Sequence, residues 1–229
     1  MTSSHDHPTS RRAEAYFTAS FEGARRLAEG RGDEAVEILR RELERVQDTD
    51  EIAGRRFLLS QIALCHTRMD DPAATQQVLE EMEEQLPQES ETALLLAEGY
   101  LLLLDNAERA SHHAALDLKW CEREEHADLA ELLSRAHSLM ARSLLAQDDL
   151  TGAFGSWQSA PLPDWRVAVK LIEAGLSTRQ VREVLSDALP RHREHERRLG
   201  PGAVAATDQV ERLILWIDAG CPEGPPVSS

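Results

Sequence analysis

Histidine and cysteine are the residues of this sequence whose chemistry could support a metal site or a nucleophile. His192 and His195 stand three positions apart, which places both side chains on one face of a helix. His112 and His113 are adjacent and point about 100° apart on a helix, so they do not readily bind one ion together. A structural zinc ion needs about three or four ligands, and no second cluster stands at a useful spacing. We therefore expect no bound metal.

The cysteines give no sign of a disulfide framework or of a catalytic thiol. Cys65, Cys121 and Cys221 are an odd number without a CxxC pair, which fits a reducing compartment. Cys121 and His126 are spaced too irregularly to share a helical face as a nucleophile and its base. The sequence also has no GxSxG, no HExxH and no Gly-rich phosphate loop. We therefore predict a protein that is not an enzyme and uses no cofactor.

Composition and charge restrict the class of protein further. Of 229 residues, 41% are hydrophobic and 29% are charged, so the chain can bury a core. The net charge of −16 repels nucleic-acid phosphates and anionic membrane surfaces. The N-terminus lacks an apolar stretch after a basic start, and the longest apolar stretch, 93–104, is too short to span a bilayer. We expect a cytoplasmic protein with no membrane segment.

The elements that would position any site are helices along almost the whole chain. Short polar residues that can cap a first turn mark the helix starts. These starts lie at Asp48, Asp71, Asp105, Ser177 and Asp208. Gly and Pro mark the helix stops, which lie at Gly30, Pro87, Pro161, Gly175, Pro190 and Gly200. Apolar residues recur with helical spacing between these signals, so the sequence predicts an all-α fold.

One helix–turn–helix pattern recurs along the first two thirds of the chain. In segment 27–39, a turn containing Gly30 and Asp33 is followed by Ala35, a small residue early in the second helix. A short side chain there lets two antiparallel helices approach closely. The small residues that we align are Ala35, Ala74, Ala110 and Ala153, at spacings of 39, 36 and 43 residues. The corresponding positions of the first helices are Gly23, Ile62, Glu98 and Ala141.

This pattern resembles the tetratricopeptide repeat (TPR), whose period of about 34 residues is shorter than the spacings here. The resemblance implies a right-handed α-solenoid of stacked antiparallel helix hairpins over residues 13–163. We expect a C-terminal helical hairpin and a capping helix over residues 164–220. Disordered tails are predicted over residues 1–12 and 221–229, which are rich in small polar residues and proline.

The resemblance also implies a protein-binding function. The first helices of such a stack line a concave groove that binds a peptide or helix of a partner protein. The residues that this alignment directs into the groove are Arg56, His66, Arg135, Ser138 and Arg142. The arginines could grip an acidic peptide or a C-terminal carboxylate. The alternative is that they are solvated surface charges. We expect a scaffold or adaptor whose partner is another protein.

A basic stretch near the C-terminus supports an alternative function. Residues 165–200 carry a charge of +3, whereas the rest of the chain carries −19. Within this stretch, segment 171–185 resembles a helix-turn-helix with Gly175 in its turn. That resemblance implies DNA contacts by exposed residues early in the second helix. These residues are Thr178, Arg179, Gln180 and Arg182. A transcription-associated regulator is therefore the alternative function. A hairpin that caps the stack is the structural alternative, and an enzyme with an unmarked site is a third possibility.

Overall fold

The structure is a computed structural model that describes residues 8–47, 51–121, 129–199 and 204–221. These residues form eleven helices and no strand, which confirms the predicted all-α class. The helices belong to two compact units, Met1–Asn106 (the N-terminal unit) and Ala107–Ser229 (the C-terminal unit). The boundary predicted at residue 163 therefore lies inside the C-terminal unit.

The N-terminal unit contains α1 (Pro8–Ala28), α2 (Gly32–Gln47), α3 (Ile52–Arg68), α4 (Pro72–Gln85) and α5 (Ser90–Leu102). Each of these helices packs on the next one along the chain. In addition, α3 contacts both α1 and α5, so the first helices of successive pairs are neighbours.

The C-terminal unit contains α6 (Ala107–Cys121), α7 (Leu129–Ala146), α8 (Leu150–Ser159), α9 (Trp165–Glu173), α10 (Thr178–Leu199) and α11 (Val204–Asp218). Here α7 packs on α6, α8 and α9, and α9 also contacts α10 and α11. One hydrophobic core joins the last five helices, and Trp157 lies in it without any exposure to solvent. Among the described helices of both units, none is long and apolar enough to cross a membrane.

The turns inside the helix pairs share one backbone geometry. Gly30, Asp70, Asp148 and Gly175 all have a positive φ, between 59° and 97°. After each of them, the next amide donates to the carbonyl five residues earlier, as Asp71 N does to His66 O at 3.0 Å. These bonds close a Schellman motif, which needs one residue in the left-handed region. Gly and Asp recur in the repeated turns because both adopt that conformation at low cost.

Two aspartates that follow these turns also start the next helix. Asp71 Oδ1 accepts from Ala74 N at 3.0 Å, and Asp149 Oδ1 accepts from Gly152 N at 2.8 Å. The helix start predicted at Asp71 is therefore confirmed. Asp105 has a φ of 51° and lies two positions before α6, so it belongs to the preceding turn. The prediction that Asp105 caps the start of this helix is therefore wrong.

Several predicted boundaries are wrong. Pro190 lies inside α10, because Leu185, Ala188 and His192 are buried on both sides of it while its ring is exposed. Asp208 lies inside α11, which begins at Val204. The first helix begins at Pro8, so it includes residues 8–12, which were predicted to belong to a disordered tail. The start predicted at Asp48 and most of the tail predicted for 221–229 fall outside the described residues.

The alignment of the second repeat is wrong by one position. Thr75 is fully buried at the fourth position of α4, as Ala35 is at the fourth position of α2, whereas Ala74 is half-buried. The turns after α1 and α3 are closed by bonds to the carbonyls of Arg26 and His66. Gly23 lies three residues before Arg26, and Ala63 lies three residues before His66. The small residue of α3 is therefore Ala63 and not Ile62.

Candidate protein-binding surface

Arg56, one of the predicted groove residues, is buried and ion-paired. Its side chain is only 7% exposed, and its guanidinium contacts Glu89 at 3.3 Å and also bonds Glu91. These carboxylates stand at the start of α5, so Arg56 joins α3 to α5. The correction from Ile62 to Ala63 explains the difference, since one position along a helix rotates a side chain by about 100°. Arg56 is thus not open to a partner.

The other predicted groove residues lie on two different units. His66 is half-buried on α3, and its carbonyl accepts the bond that closes the following turn. Arg135, Ser138 and Arg142 lie on α7, where spacings of three and four residues place them on one face. Arg135 is exposed, and the other two are half-buried. A partner contact by these three side chains remains a prediction.

The residues predicted to contact DNA stand at the start of α10. Arg179 is exposed and pairs with Glu183 at 2.9 Å. Arg182 bonds Asp218 of α11 at 2.5 and 3.2 Å, which raises the pKa of the guanidinium and lowers that of the carboxyl. A phosphate at Arg182 would have to displace that carboxylate. Thr178 is half-buried and Gln180 is exposed, and DNA contact by these residues remains a prediction that the ion pairs do not favour.

The described residues that could bind a metal or act as a nucleophile are placed as follows. No three His, Cys, Asp or Glu side chains among them are placed to hold a metal ion. The thiol of Cys65 is buried, and desolvation raises its pKa, so it is a poor nucleophile. Cys121 is also buried and lies 3.6 Å from the carboxylate of Asp117, one turn earlier on α6. Both cysteines lie among core residues.

The N-terminal unit also carries a cluster of aromatic side chains that was not predicted from the sequence. Phe17 and Phe21 of α1 are 63% and 76% exposed, although phenylalanine is usually well buried. Phe57 of α3 is half-buried, and its ring centroid lies 5.4 Å from that of Phe17. We call these three residues the aromatic patch. The chain has four phenylalanines in all, and the pair one helical turn apart was the available signal.

The packing of α1 on α3 explains why these rings face solvent. The Tyr16 hydroxyl bonds Glu51, and its ring covers Gly54, where a methyl group would come within 2.9 Å of Tyr16 Cζ. Ser20 Oγ lies 3.3 Å from Gln61 Oε1 at the same helix contact. Because Tyr16 and Ser20 occupy the contact between the helices, Phe17 and Phe21 lie along its outer edge.

The open groove between α1 and α2 has a different chemistry. It encloses about 730 Å³ above Ala15, Thr18, Ala19 and Ile38, but its rim is charged. Most of the rim charges are paired with one another, through the contacts Arg26–Glu22, Arg26–Glu34, Arg41–Glu37 and Arg45–Glu42. Two arginines hold the pKa of Glu22 at about 2. The groove between α1 and α2 is therefore lined mostly by paired charges, and polar cover of this kind is typical of the terminal repeats of helical arrays.

Comparison with known proteins adds no assignment. No protein-family model matches the chain, and no curated protein or solved structure is significantly similar to it.

Of the surfaces described above, the aromatic patch is the one where large apolar side chains meet solvent. Other exposed large apolar residues in the described structure lie on other helices, Leu102 on α5, Leu199 on α10 and Leu215 on α11. Isolated exposed side chains of this kind are ordinary, whereas adjacent aromatic rings indicate a contact surface.

Proposed function

We propose that this protein is a binding scaffold on which a partner protein docks a peptide or helix. The docking surface is the side of the N-terminal unit where α1 and α3 meet. The observation that carries the proposal is the exposure of Phe17 and Phe21, 63% and 76%, beside Phe57. Aromatic side chains supply much of the energy of protein interfaces, because they bury a large area at a small entropy cost.

We also propose that the helix pairs belong to a TPR-like right-handed solenoid with capping helices at its C-terminal end. Support comes from the shared turn geometry at Gly30, Asp70 and Asp148. Further support comes from the neighbouring first helices α1, α3 and α5 of the N-terminal unit. We place the protein in the cytoplasm, since Cys65 and Cys121 are free thiols.

The energy available at the aromatic patch is enough for a specific contact. Removing apolar surface from water stabilises a complex by about 25 cal/mol per Å². Burying two largely exposed phenylalanine rings therefore contributes several kcal/mol, on the order of 2 kcal/mol for each ring. Truncating both rings should weaken binding by about two orders of magnitude or more, since about 1.4 kcal/mol corresponds to a tenfold change.

The proposal is tested by comparing variants in affinity purification from the protein's own cells. Phe17→Ser with Phe21→Ser removes the rings without changing charge, and Leu215→Ser removes an exposed apolar side chain of α11 as a matched control. We expect a specific partner to be retained by the wild type and the control and lost by the double variant. A partner that the double variant retains in full would refute the assigned surface.

Two further measurements complete this design. Thermal unfolding followed by circular dichroism should show similar midpoints for the double variant and the control, because exposed side chains contribute little to stability. Arg135→Glu with Arg142→Glu tests the predicted contact on α7 in the same purification. If that variant alone loses the partner, the binding surface lies on the C-terminal unit and our assignment is wrong.

A further inference from the structure

We propose that the segment that occupies the aromatic patch is a basic amphipathic helix of the partner protein. This inference rests on the proposed function, because it names the chemistry of the segment that docks there. The inference is supported by two properties of the N-terminal unit: the spacing of its exposed phenylalanine rings and the negative charge around them.

The spacing of the rings suits another helix. Phe17 and Phe21 stand four positions apart, so they form part of one ridge along α1. The Phe57 ring extends this apolar surface onto α3 through its contact with Phe17. A ridge of this kind packs into the groove between rows of apolar side chains on a facing helix. The occupant therefore needs apolar residues at spacings of three and four, which is the pattern of an amphipathic helix.

The charge of the N-terminal unit favours a basic occupant. Between residues 8 and 106, acidic residues outnumber arginines by about two to one, and there is no lysine. Most of the arginines are already held by carboxylates of the same unit. The arginines with such contacts are Arg25, Arg26, Arg31, Arg40, Arg41, Arg45 and Arg56. The remaining acidic residues give the unit a negative field that attracts cations.

Acidic side chains also stand close to the aromatic patch. Glu14 is exposed one turn before Phe17 on α1, and Glu51 bonds the hydroxyl of Tyr16 beside it. Lysines or arginines that flank the apolar side of a docked helix would be attracted by these carboxylates. Salt screens such exposed contacts over roughly 10 Å, so the charge contribution should depend on ionic strength.

The same charge disfavours two other occupants. A second copy of the chain brings another net charge of −16 against an acidic unit, which costs electrostatic energy. An anionic lipid surface is repelled for the same reason. A basic helix is the occupant for which both the apolar contact and the charge are favourable.

Two synthetic peptides of about 18 residues, or five helical turns, test this inference on the full chain. Both carry the same leucine and phenylalanine positions on one face. The polar face is lysine and arginine in one peptide and glutamate in the other. Binding is measured by fluorescence anisotropy at about 50 mM and about 300 mM salt. We expect the basic peptide to bind the wild type and to bind it more weakly at higher salt. Its affinity for Phe17→Ser/Phe21→Ser should be lower by about two orders of magnitude or more.

The outcomes separate this inference from the proposed function. If both peptides bind equally and the Phe variant weakens both, a docking surface exists but its partner need not be basic. If neither peptide binds while the Phe variant still loses the cellular partner, the inference fails and the proposed function stands. If the Phe variant changes neither peptide nor partner binding, both fail. Sedimentation that shows a wild-type dimer and a monomeric Phe variant would instead identify a second copy as the occupant.

Discussion

The indole of Trp157 donates a hydrogen bond from Nε1 to the backbone carbonyl of Asp164, at 2.9 Å. The ring itself is fully buried in the core that α7 and α8 share with α9, α10 and α11. The side chain of Asp164 accepts from Arg166 N at 2.8 Å and caps α9. Trp157 therefore holds the connection from α8 to α9 at the point where the next helix begins.

We expect Trp157→Ala to destabilise the C-terminal unit by about 3–5 kcal/mol, because it leaves a large cavity. Trp157→Phe should cost less, on the order of 2 kcal/mol, through a smaller cavity and the loss of the donor to Asp164. Urea unfolding followed by tryptophan fluorescence and circular dichroism measures both effects. Leu215→Ala is the matched control, since Leu215 is 67% exposed. Equal midpoints for Trp157→Ala and the control would contradict the buried position.

The aspartates that cap α4 and α8 should contribute measurably to stability. Asp71→Ala and Asp149→Ala each remove an acceptor for a first-turn amide, at 3.0 and 2.8 Å respectively. We expect a loss of about 1 kcal/mol for each, and a smaller loss for Asp71→Asn, which retains an acceptor. Denaturant unfolding with a fixed slope gives the comparison. A destabilisation by Asp71→Asn as large as that by Asp71→Ala would contradict the capping role.

The residues immediately before these capping aspartates, Asp70 and Asp148, should tolerate substitution by glycine. Asp70 and Asp148 both have a φ of 59°, where glycine has no steric cost. Asp70→Gly should therefore leave the free energy of unfolding within about 0.5 kcal/mol of the wild type, or raise it slightly. Asp70→Val should lower it by about 1–2 kcal/mol, because a β-branched side chain disfavours this conformation. The same denaturant series measures the pair, and equal effects of glycine and valine would contradict the turn geometry.

Acid should weaken the C-terminal unit through His192. This side chain is buried, and desolvation lowers its pKa from the usual 6.5. Arg191 and His195 act in the same direction, whereas a hydrogen bond to the Pro163 backbone and the charge of Asp164 act in the opposite direction. Because the folded state favours the neutral ring, the unfolded chain binds a proton more readily. The free energy of unfolding should therefore fall as the pH drops below about 6.5.

The comparison of unfolding at pH 7.5 and pH 5.5 tests the role of His192. We expect His192→Leu to reduce the pH dependence, since the variant has no ring to protonate. Burial also lowers the pKa of His137, so part of the dependence should remain in that variant. His195→Gln is the control because His195 lies on the same helix and is more exposed. A pH dependence that His192→Leu leaves unchanged would assign the effect to other groups.

DNA binding by the α9–α10 hairpin can be tested directly. We expect no retarded species when duplex DNA is mixed with the protein at about 50 mM salt, because of the overall negative charge and the contact between Arg182 and Asp218. Arg179→Glu is the informative variant, since Arg179 is exposed and pairs with Glu183 of its own helix. A wild-type complex that disappears with Arg179→Glu would favour the transcription-associated alternative.

Local signals were enough to predict the helices and many of their ends. Asp71 before Pro72 marks the start of α4, and Gly175 marks the end of α9, because caps and turns depend on a few neighbouring residues. The same signals gave wrong boundaries at Pro190 and Asp208. There, burial of residues on one side of each helix outweighs the local preference.

Local signals along the chain were sufficient for the all-α class and for turns such as those at Gly30 and Gly175. Where the apolar periodicity is weak, as on α3, the buried side of the helix follows from tertiary packing instead. Because the periodicity of α3 is weak, Ile62 was aligned where Ala63 belongs. A shift of one position predicts Arg56 on the accessible side of α3, whereas in the structure Arg56 is buried and Phe57 lies beside Phe17 in the aromatic patch. Helix formation depends on contacts within a few residues, whereas the exposed side depends on helices distant in the chain. The aromatic patch became visible only when α1 and α3 were placed together.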